Sequence, residues 1–405
     1  MAHGSSELSK WDDVVRRVGE VADIGLTARQ FGAFTRRGKV ATPVALLRLA
    51  LLYGPGGLSL HGPGGLSLRG TAAMAEAIGM SLTDKAVEGR LRKCGAWLEH
   101  LLAQLLAARA AAVSVAQARS VDPASGWVSV IDGSVIKPPG RGGQWRLHAR
   151  YDPGLGRVVD LCLTPVSGSE RVLHTPPGDG QTVIMDRGYA RVRDFAAVLA
   201  AGCDFVSRIG WRSLSLQHPD GTPFDIIAAL PEGMQASEHV VRVASLAQPL
   251  RLVLRRLPAD KVDRAARRAL RKSARNGTRV DPRTLRAAGY IMVITSLAAE
   301  ACPAERLLQM YRARWQVELG FKRLKSLGGI HRLPCADPHL AKTWLMAHLI
   351  AAVLIEDLAA EILAFPPSKE RRPNHPGEIA VTLEGLADQP CLPAPRHPTG
   401  PRARQ

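Results

Sequence analysis

Trp127–Ile136 reads WVSVIDGSVI, and Thr182–Asp186 reads TVIMD. Both are apolar, β-branched runs of strand length, and each carries an aspartate at or near its end: Asp132 in the first, Asp186 in the second. A carboxylate placed there stands at the edge of a sheet, where the active sites of open α/β sheets form. Asp-Gly and Asp-Arg-Gly are also ordinary turn sequences, so neither aspartate decides anything alone.

Working outward, Trp145–Tyr151 and Val158–Val166 are two further strand-like runs set off by Gly and Pro. Ala190–Ala201 has helical periodicity, and Cys203–Ile209 is a fifth strand. Three strands, a connection, a strand, a helix and a strand fit an α/β fold with a ribonuclease-H-like catalytic core. The stretch SGSERVLHTPPGDG between the third and fourth strands is loop-like, so the helix expected there is missing or very short. Residues 119–210 form this first part of the core.

The flanks differ in texture. Residues 1–118 are helical: Thr42-Pro43 starts a helix through Leu51, with Thr as N-cap and Pro in the first turn. Thr71–Ile78, a turn at Gly79 and a helix from Thr83 through Leu106 resemble a helix-turn-helix, with Lys85, Arg90, Arg92 and Lys93 near the start of its last helix. An ordinary helical bundle with a solvated basic face has the same pattern. Between these helices GPGGLSLH (Gly54–His61) is followed by GPGGLSLR (Gly62–Arg69), a local duplication of a loop, which costs little.

Residues 211–296 form a β-rich insertion, with strands at Val240–Val243, Leu250–Arg255 and Tyr290–Thr295. It also holds a basic helix from about Ala259 to Ala274, which lines up Arg264, Arg267, Arg268, Arg271 and Arg275 on one face. Residues 297–365 hold two long helical patterns, and 366–405 form a Pro-rich tail with the composition of a disordered segment.

Across its 405 residues the chain has 54 Lys and Arg against 36 Asp and Glu, a net charge of +18. Arg dominates the basic set, and its planar fork suits phosphate. Nucleic acid is the acidic partner this charge suggests, although an ordinary basic enzyme shares it. A hydrophobic content of 46% supports a packed core. The most apolar stretch, Trp344–Ile355, is too short to span a bilayer. The six cysteines show no C-x-x-C spacing, which argues against a zinc site or disulfide framework. The expectation is a soluble cytoplasmic, nucleoid-associated protein with no membrane partner and no small-molecule substrate.

The third acidic candidate lies in a helical pattern from about Ala304 to Leu327, which contains YRARWQVELGFKRLKSLGG. At 100° per residue Tyr311, Arg314, Glu318 and Lys325 form one polar stripe beside Leu308, Trp315, Leu319 and Leu324. A solvated stripe with a surface Arg314–Glu318 pair has the same spacing. The order Tyr311-x2-Arg314-x3-Glu318-x6-Lys325, however, resembles the Y-R-E-K signature of DDE transposases in the insertion-sequence-4 family. Asp132 in IDGS and Asp186 in DRGY resemble that family's first two acidic residues, and the long gap between Asp186 and Glu318 suits the insertion its members carry.

The resemblance covers roughly residues 40–360, and what it implies is specific. Asp132, Asp186 and Glu318 would bind two divalent cations, Mg²⁺ or Mn²⁺, and catalyse phosphoryl transfer that cleaves an element's ends and joins them to target DNA. Tyr311, Arg314 and Lys325 would hold DNA phosphates, with Tyr189 of the DRGY stretch beside them. Tyr290, or its rival Trp211, would receive a flipped base. The partners would be double-stranded DNA, as element ends and target, and a second copy of the chain on that DNA. A catalytically silent DNA-binding descendant and a ribonuclease-H-like nuclease without transposition are the alternatives.

Overall fold

A computed structural model of the chain describes residues 3–55, 66–118, 128–137, 145–326, 330 and 333–364. Most of the GPGGLSL duplication, Trp127, the boundary near residue 119, the tail from 366 and the Lys325 side chain lie outside what it describes.

Six helices come first: α1 (His3–Val21), α2 (Ile24–Gln30), α3 (Pro43–Tyr53), α4 (Leu68–Ala77), α5 (Asp84–Leu91) and α6 (Gly95–Ala118). Their starts follow local chemistry. Thr42 and Thr83 accept hydrogen bonds from the Ala45 and Ala86 amides through their side-chain oxygens, as N-caps do. The helix expected from Thr83 through Leu106 is two helices. After α5 the chain turns at Arg92–Cys94, where the Leu91 carbonyl accepts from the Cys94 amide and from the Thr343 hydroxyl. The basic residues assigned to a groove-reading helix are largely engaged within the protein. Lys85 pairs with Glu88, Arg92 with Asp337, and Arg90 donates to the Arg36 carbonyl.

The sheet follows: β1 (Val128–Ile136), β2 (Trp145–Asp152), β3 (Arg157–Pro165), β4 (Thr182–Met185), β5 (Asp204–Arg208), β6 (Ser237–Val241), β7 (Leu250–Arg256) and β8 (Tyr290–Thr295). Helix α7 (Val192–Ala200) joins β4 to β5, while β3 and β4 are joined through a single 3-10 turn at Val172–His174. α8 (Ala259–Arg275) and α9 (Pro282–Ala288) lie between β7 and β8. α10 (Ala304–Arg312), α11 (Arg314–Ser326) and α12 (Pro338–Ala364) close the described chain.

Among the described residues all eight strands form one mixed sheet in the order β3-β2-β1-β4-β5-β8-β7-β6. The β1–β4 and β4–β5 pairs are parallel and the others antiparallel. This mixed α/β arrangement is consistent with a ribonuclease-H-like core. The insertion adds no second sheet, because β8 pairs with β5 and brings β7 and β6 in as an extension.

Both faces of the sheet are covered, and alternation along each strand shows how. Val130, Ile184, Val206, Val253 and Val293 join the core built with the N-terminal helices, α11 and α12. Their neighbours Ile131, Val183, Phe205, Leu252 and Ile294 join a second core with α7 and the insertion. A strand buried on both sides needs apolar residues at every position, which is why β4 is the unbroken run TVIM.

One buried cation ties the first core together. Arg109 of α6 donates to the Val158 carbonyl at 2.6 Å and the Val353 carbonyl at 2.7 Å, and pairs with Glu356 at 2.9 Å. The contact-defined unit Met1–Glu356 contains all of these groups; of the second unit, Asp357–Gln405, the described part is the end of α12. Removing one partner of a buried ionic cluster strands the others, so Arg109→Ala should cost roughly 3 kcal/mol in a urea unfolding series. A loss below about 1 kcal/mol would assign the site to the surface class of ion pair.

Candidate active site

The period of a strand places the carboxylates. Ile131 is opposite Met185 in the parallel β1–β4 pair, so Asp132 and Asp186 are next to each other one residue further on. Asp186 keeps an extended backbone, φ −83° and ψ 173°, and continues the alternation. Asp132 therefore shares a face with Val130, and Asp186 with Ile184. That is the face on which α11 lies. Val317, Gly320 and Phe321 bury one side of α11 there, which leaves Arg314 and Glu318 along its flank.

The expected single helix from Ala304 to Leu327 breaks at Ala313. There the Ala313 amide bonds to the Met310 carbonyl and the Gln316 amide to the Ala313 carbonyl. These three-residue steps replace the four-residue ladder and tighten the backbone locally. Tyr311 falls before the break and Arg314 after it, yet both reach the aspartates. The Tyr311 hydroxyl donates to Asp186 Oδ1 at 3.2 Å, and Arg314 Nη1 lies 3.4 Å from Asp132 Oδ2. Arg314 Nη2 donates to Glu318 Oε1 at 2.5 Å. A single guanidinium thus spans Asp132 and Glu318, 186 residues apart in sequence, while Tyr311 holds Asp186. Trp315, expected on the apolar side, is 41% exposed.

The electrostatics follow first from burial and then from crowding like charges. Burial pushes the Asp132 carboxyl up to about 6, with Asp186 and Glu318 adding to the rise and the Gly133 amide and Arg314 opposing it. Burial acts to lower the Arg314 guanidinium, but Tyr311, Asp186 and Glu318 outweigh it and hold the group above its ordinary value. The Tyr311 hydroxyl is raised, first by burial and then by Asp186, and stays protonated as a donor. Arg208, at the end of β5 on the same face, acts on Tyr311 in the opposite sense.

Not every expected site residue is brought here as a contact. Tyr189 is 1% exposed and belongs to the second core, so its ring has no surface to offer DNA; a residue three beyond a strand-end aspartate has turned back under the sheet edge. Tyr290 donates its hydroxyl to the Pro231 carbonyl at 3.0 Å. Trp211 donates to Thr284, and the Arg212 and Arg283 guanidiniums lie 4.2 and 4.8 Å from its ring centre. Both rings are therefore already engaged.

Glu170 was not among the sequence candidates. It lies in the loop before β4, and its carboxylate rests against Gly188 of DRGY and Gly133 of IDGS, 3.8 Å from Arg146. A Cβ on Gly188 would overlap Glu170 Oε2, so any side chain here would oblige the Glu170 carboxylate to move. The signal in sequence was an acidic residue inside a stretch that reads only as loop.

The donor set of Asp132, Asp186 and Glu318 is all carboxylate oxygen, which suits a hard divalent cation. Among the described residues no three acidic, His or Cys side chains converge into a ready-made cage; the Arg314 guanidinium occupies the position between Asp132 and Glu318 and supplies positive charge there. The residues fit such an ion by chemistry.

Residues 123–354 match the family model described as transposase DDE domain. The chain is 35% identical over 369 residues to InsL for insertion sequence element IS186A of Escherichia coli (strain K12), covering 88% of this chain and 96% of that one. It is 35% identical over 370 residues, with the same coverage, to the transposase for insertion sequence element IS421 of Escherichia coli. It is 22% identical over 232 residues to the transposase for insertion sequence element IS231F of Bacillus thuringiensis subsp. israelensis, covering 52% of this chain and 49% of that one.

Two outcomes follow from the geometry. The Asp132 carboxyl titrates higher in the folded chain than in the unfolded one, so the folded state holds more protons between about pH 4 and 6 and loses stability as pH rises through that window. Asp132→Asn should therefore stabilise the metal-free protein by roughly 1–3 kcal/mol above pH 6 and by almost nothing below pH 4. Thermal melts across that range check this, and a pH-independent difference would contradict it. Gly188→Ala should lower the melting temperature through the collision with Glu170, and adding Glu170→Ala in the same chain should restore most of the loss.

Proposed function

The chain belongs to the transposase DDE-domain family, and from that membership we propose that Asp132, Asp186 and Glu318 are the acidic triad of this enzyme. It is an insertion-sequence transposase, acting on DNA to cleave it and transfer the cut strand, with divalent metal ions as cofactor. The observation that carries the assignment of the triad is the Arg314 bridge: one guanidinium reaches both Asp132 and Glu318, while Tyr311 engages Asp186. A merely solvated helix stripe has no reason to aim its arginine and tyrosine at Asp132, midway along β1, and Asp186, just past the end of β4.

In this reading Asp132, Asp186 and Glu318 hold two ions, Mg²⁺ or Mn²⁺, at each active site. Bound there, the ions supply a nucleophile activated for in-line attack on a phosphate and offset the charge that develops on the leaving oxygen. The protein groups have separate tasks. Arg314 positions Glu318 against Asp132 and keeps the acidic cluster from repelling itself apart. The protonated Tyr311 orients Asp186. Arg208 and Lys325 add positive charge for the incoming DNA phosphate, whose approach three carboxylates would otherwise oppose.

The spacing of Tyr311, Arg314, Glu318 and Lys325 supports assignment to the insertion-sequence-4 group with its Y-R-E-K signature. Residues 1–118 would supply DNA-end binding and 211–296 an insertion at the active-site edge. Two copies would assemble on paired ends, because DNA phosphate offsets the repulsion between two chains of charge +18. Tyr290 and Trp211 stand at the edge where a flipped base would arrive. Use of either ring requires its present hydrogen bond and, for Trp211, its guanidinium contacts to open first.

Asp132→Ala, Asp186→Ala and Glu318→Ala should each abolish Mg²⁺-dependent cleavage of a duplex carrying the DNA that flanks the coding sequence. Binding of that duplex should stay within about threefold of wild type, because affinity rests mainly on basic contacts to phosphate. Near wild-type cleavage by any one of these variants would remove that residue from the triad.

A further inference from the structure

Helix α8 carries more charge than the proposed chemistry uses. Arg264, Arg267, Arg268, Arg271 and Arg275 fall on one stripe, and every one of them is exposed. Lys261 and Lys272 border it and are exposed as well. Against these stand Asp260 and Asp263, and among the described residues the stripe's one ion pair is Arg264 with Asp260 at 3.9 Å. Like charges three and four residues apart on a helix repel. Burial does little to offset that cost here, because none of the 17 residues of α8 is buried. The helix is held by modest contacts: Val262 lies over Gly289, and Ser273 and Thr278 bond to each other at its C-terminal end. A stripe that opposes its own helix and contributes so little to the core is built for an acidic partner.

Its place in the sheet says which. The parallel β4 and β5 end at Met185 and Arg208, the edge where Asp186 stands. β8 runs antiparallel to β5, so it begins at that same edge, and β7, antiparallel to β8 with Arg256 opposite Tyr290, ends there. α8 leaves from the end of β7. It therefore rises from the catalytic edge, four strand intervals from β1, or about 19 Å at 4.8 Å per strand. At 3.4 Å per base pair that is between five and six base pairs, about half a turn of duplex. The arginine stripe from 264 to 275 runs about 16 Å along the helix at 1.5 Å per residue, enough to meet two or three phosphates of one strand.

We propose that the arginine stripe of α8 is a second DNA contact: it grips the phosphate backbone of the duplex about half a helical turn from the scissile phosphate, independently of base sequence. The proposal rests on the assignment of Asp132, Asp186 and Glu318 as the cleavage site, which sets where the duplex lies.

The test uses the full chain and a labelled duplex carrying the DNA that flanks the coding sequence, with affinity measured across a sodium chloride series. The quadruple variant R264Q/R267Q/R268Q/R271Q should reduce the magnitude of the log K against log[salt] slope by about two to three units, at about 0.9 per lost phosphate contact. It should weaken binding at least tenfold at 0.15 M salt. The matching four-lysine variant should keep the slope within about one unit, and both should retain the wild-type circular dichroism because α8 buries nothing. A wild-type slope in the glutamine variant would overturn the proposal, and so would equal losses in the glutamine and lysine variants, since charge would then not be the cause. Wild-type protein that fails to bind any duplex would overturn the DNA-cleavage reading, and the proposal with it. Normal binding and slope changes alongside intact cleavage by Asp186→Ala would overturn the triad, and with it the half-turn spacing, while leaving α8 as a phosphate contact.

Discussion

Asp132 and Asp186 stand side by side in a partly buried site with Glu318 at its exposed rim, and Arg314 is the group that ties Asp132 to Glu318. Burial makes a charge on Asp132 costly, and the like charges of Asp186 and Glu318 add a smaller cost, so the Asp132 carboxyl is pushed up to about 6. The guanidinium reaches the two acids that come from opposite ends of the domain, one on β1 and one on α11. The placement of α11 on the sheet, the break at Ala313 and the burial of Val317 and Phe321 can all be understood as what is needed to put that one cation between those acids. With it there, the acidic cluster is a stable part of the fold; without it, the packing of α11 would bring two negative charges together uncompensated.

The parts of this site legible in the sequence were those with a local signature. A run of apolar β-branched residues followed by aspartate announces its own strand, and Asp186 does follow the end of β4; Asp132, expected at a strand end, instead lies midway along β1, because that strand continues through residues 133–136 in its pairing with β2. The spacing of Glu318 to Tyr311 and Arg314 fits a solvated stripe equally well, and it is the resemblance to the Y-R-E-K signature that points to Glu318. What could not be read was anything set by contact between distant segments. Glu170 lies in a loop with no periodicity, and its role against Gly133 and Gly188 exists only once β1, the β3–β4 connection and the turn after β4 meet. The burial of Tyr189 was illegible for the same reason: the 3-10 turn at Arg187–Tyr189 folds the ring into the second core.

The helix boundaries show the same division. Thr42 and Thr83 cap their helices as their side chains require, because an N-cap is decided within four residues. The interruptions at Arg92–Cys94 and Ala313 carry neither Gly nor Pro and are imposed by packing. At the first, the Leu91 carbonyl is claimed by Thr343 from α12. At the second, the buried Tyr311 and the half-buried Arg314 both have to reach carboxylates on neighbouring strands. Strand periodicity likewise revealed β7 and β8 but not that β8 would pair with β5, which turns the insertion from an appended piece into part of the catalytic sheet's own edge.

That continuity bears on how an acidic centre can work on an acidic substrate. A DNA phosphate approaching three carboxylates is repelled at short range, and the repulsion must be outweighed by positive charge that is already in place. The Debye length at physiological salt is about 8 Å, so basic residues scattered elsewhere on the chain do little for a phosphate at the site itself. Charge that helps has to stand along the path of the duplex, either within a few ångströms of the carboxylates, as Arg314 does, or along the backbone on either side, where each contact adds its own share of affinity. A sheet that runs without interruption from β1 through β7 fixes the distance between those two sets of charges. A rigid spacing lets the same duplex satisfy both at once, whereas an insertion on a loose tether would have to be ordered anew each time DNA bound.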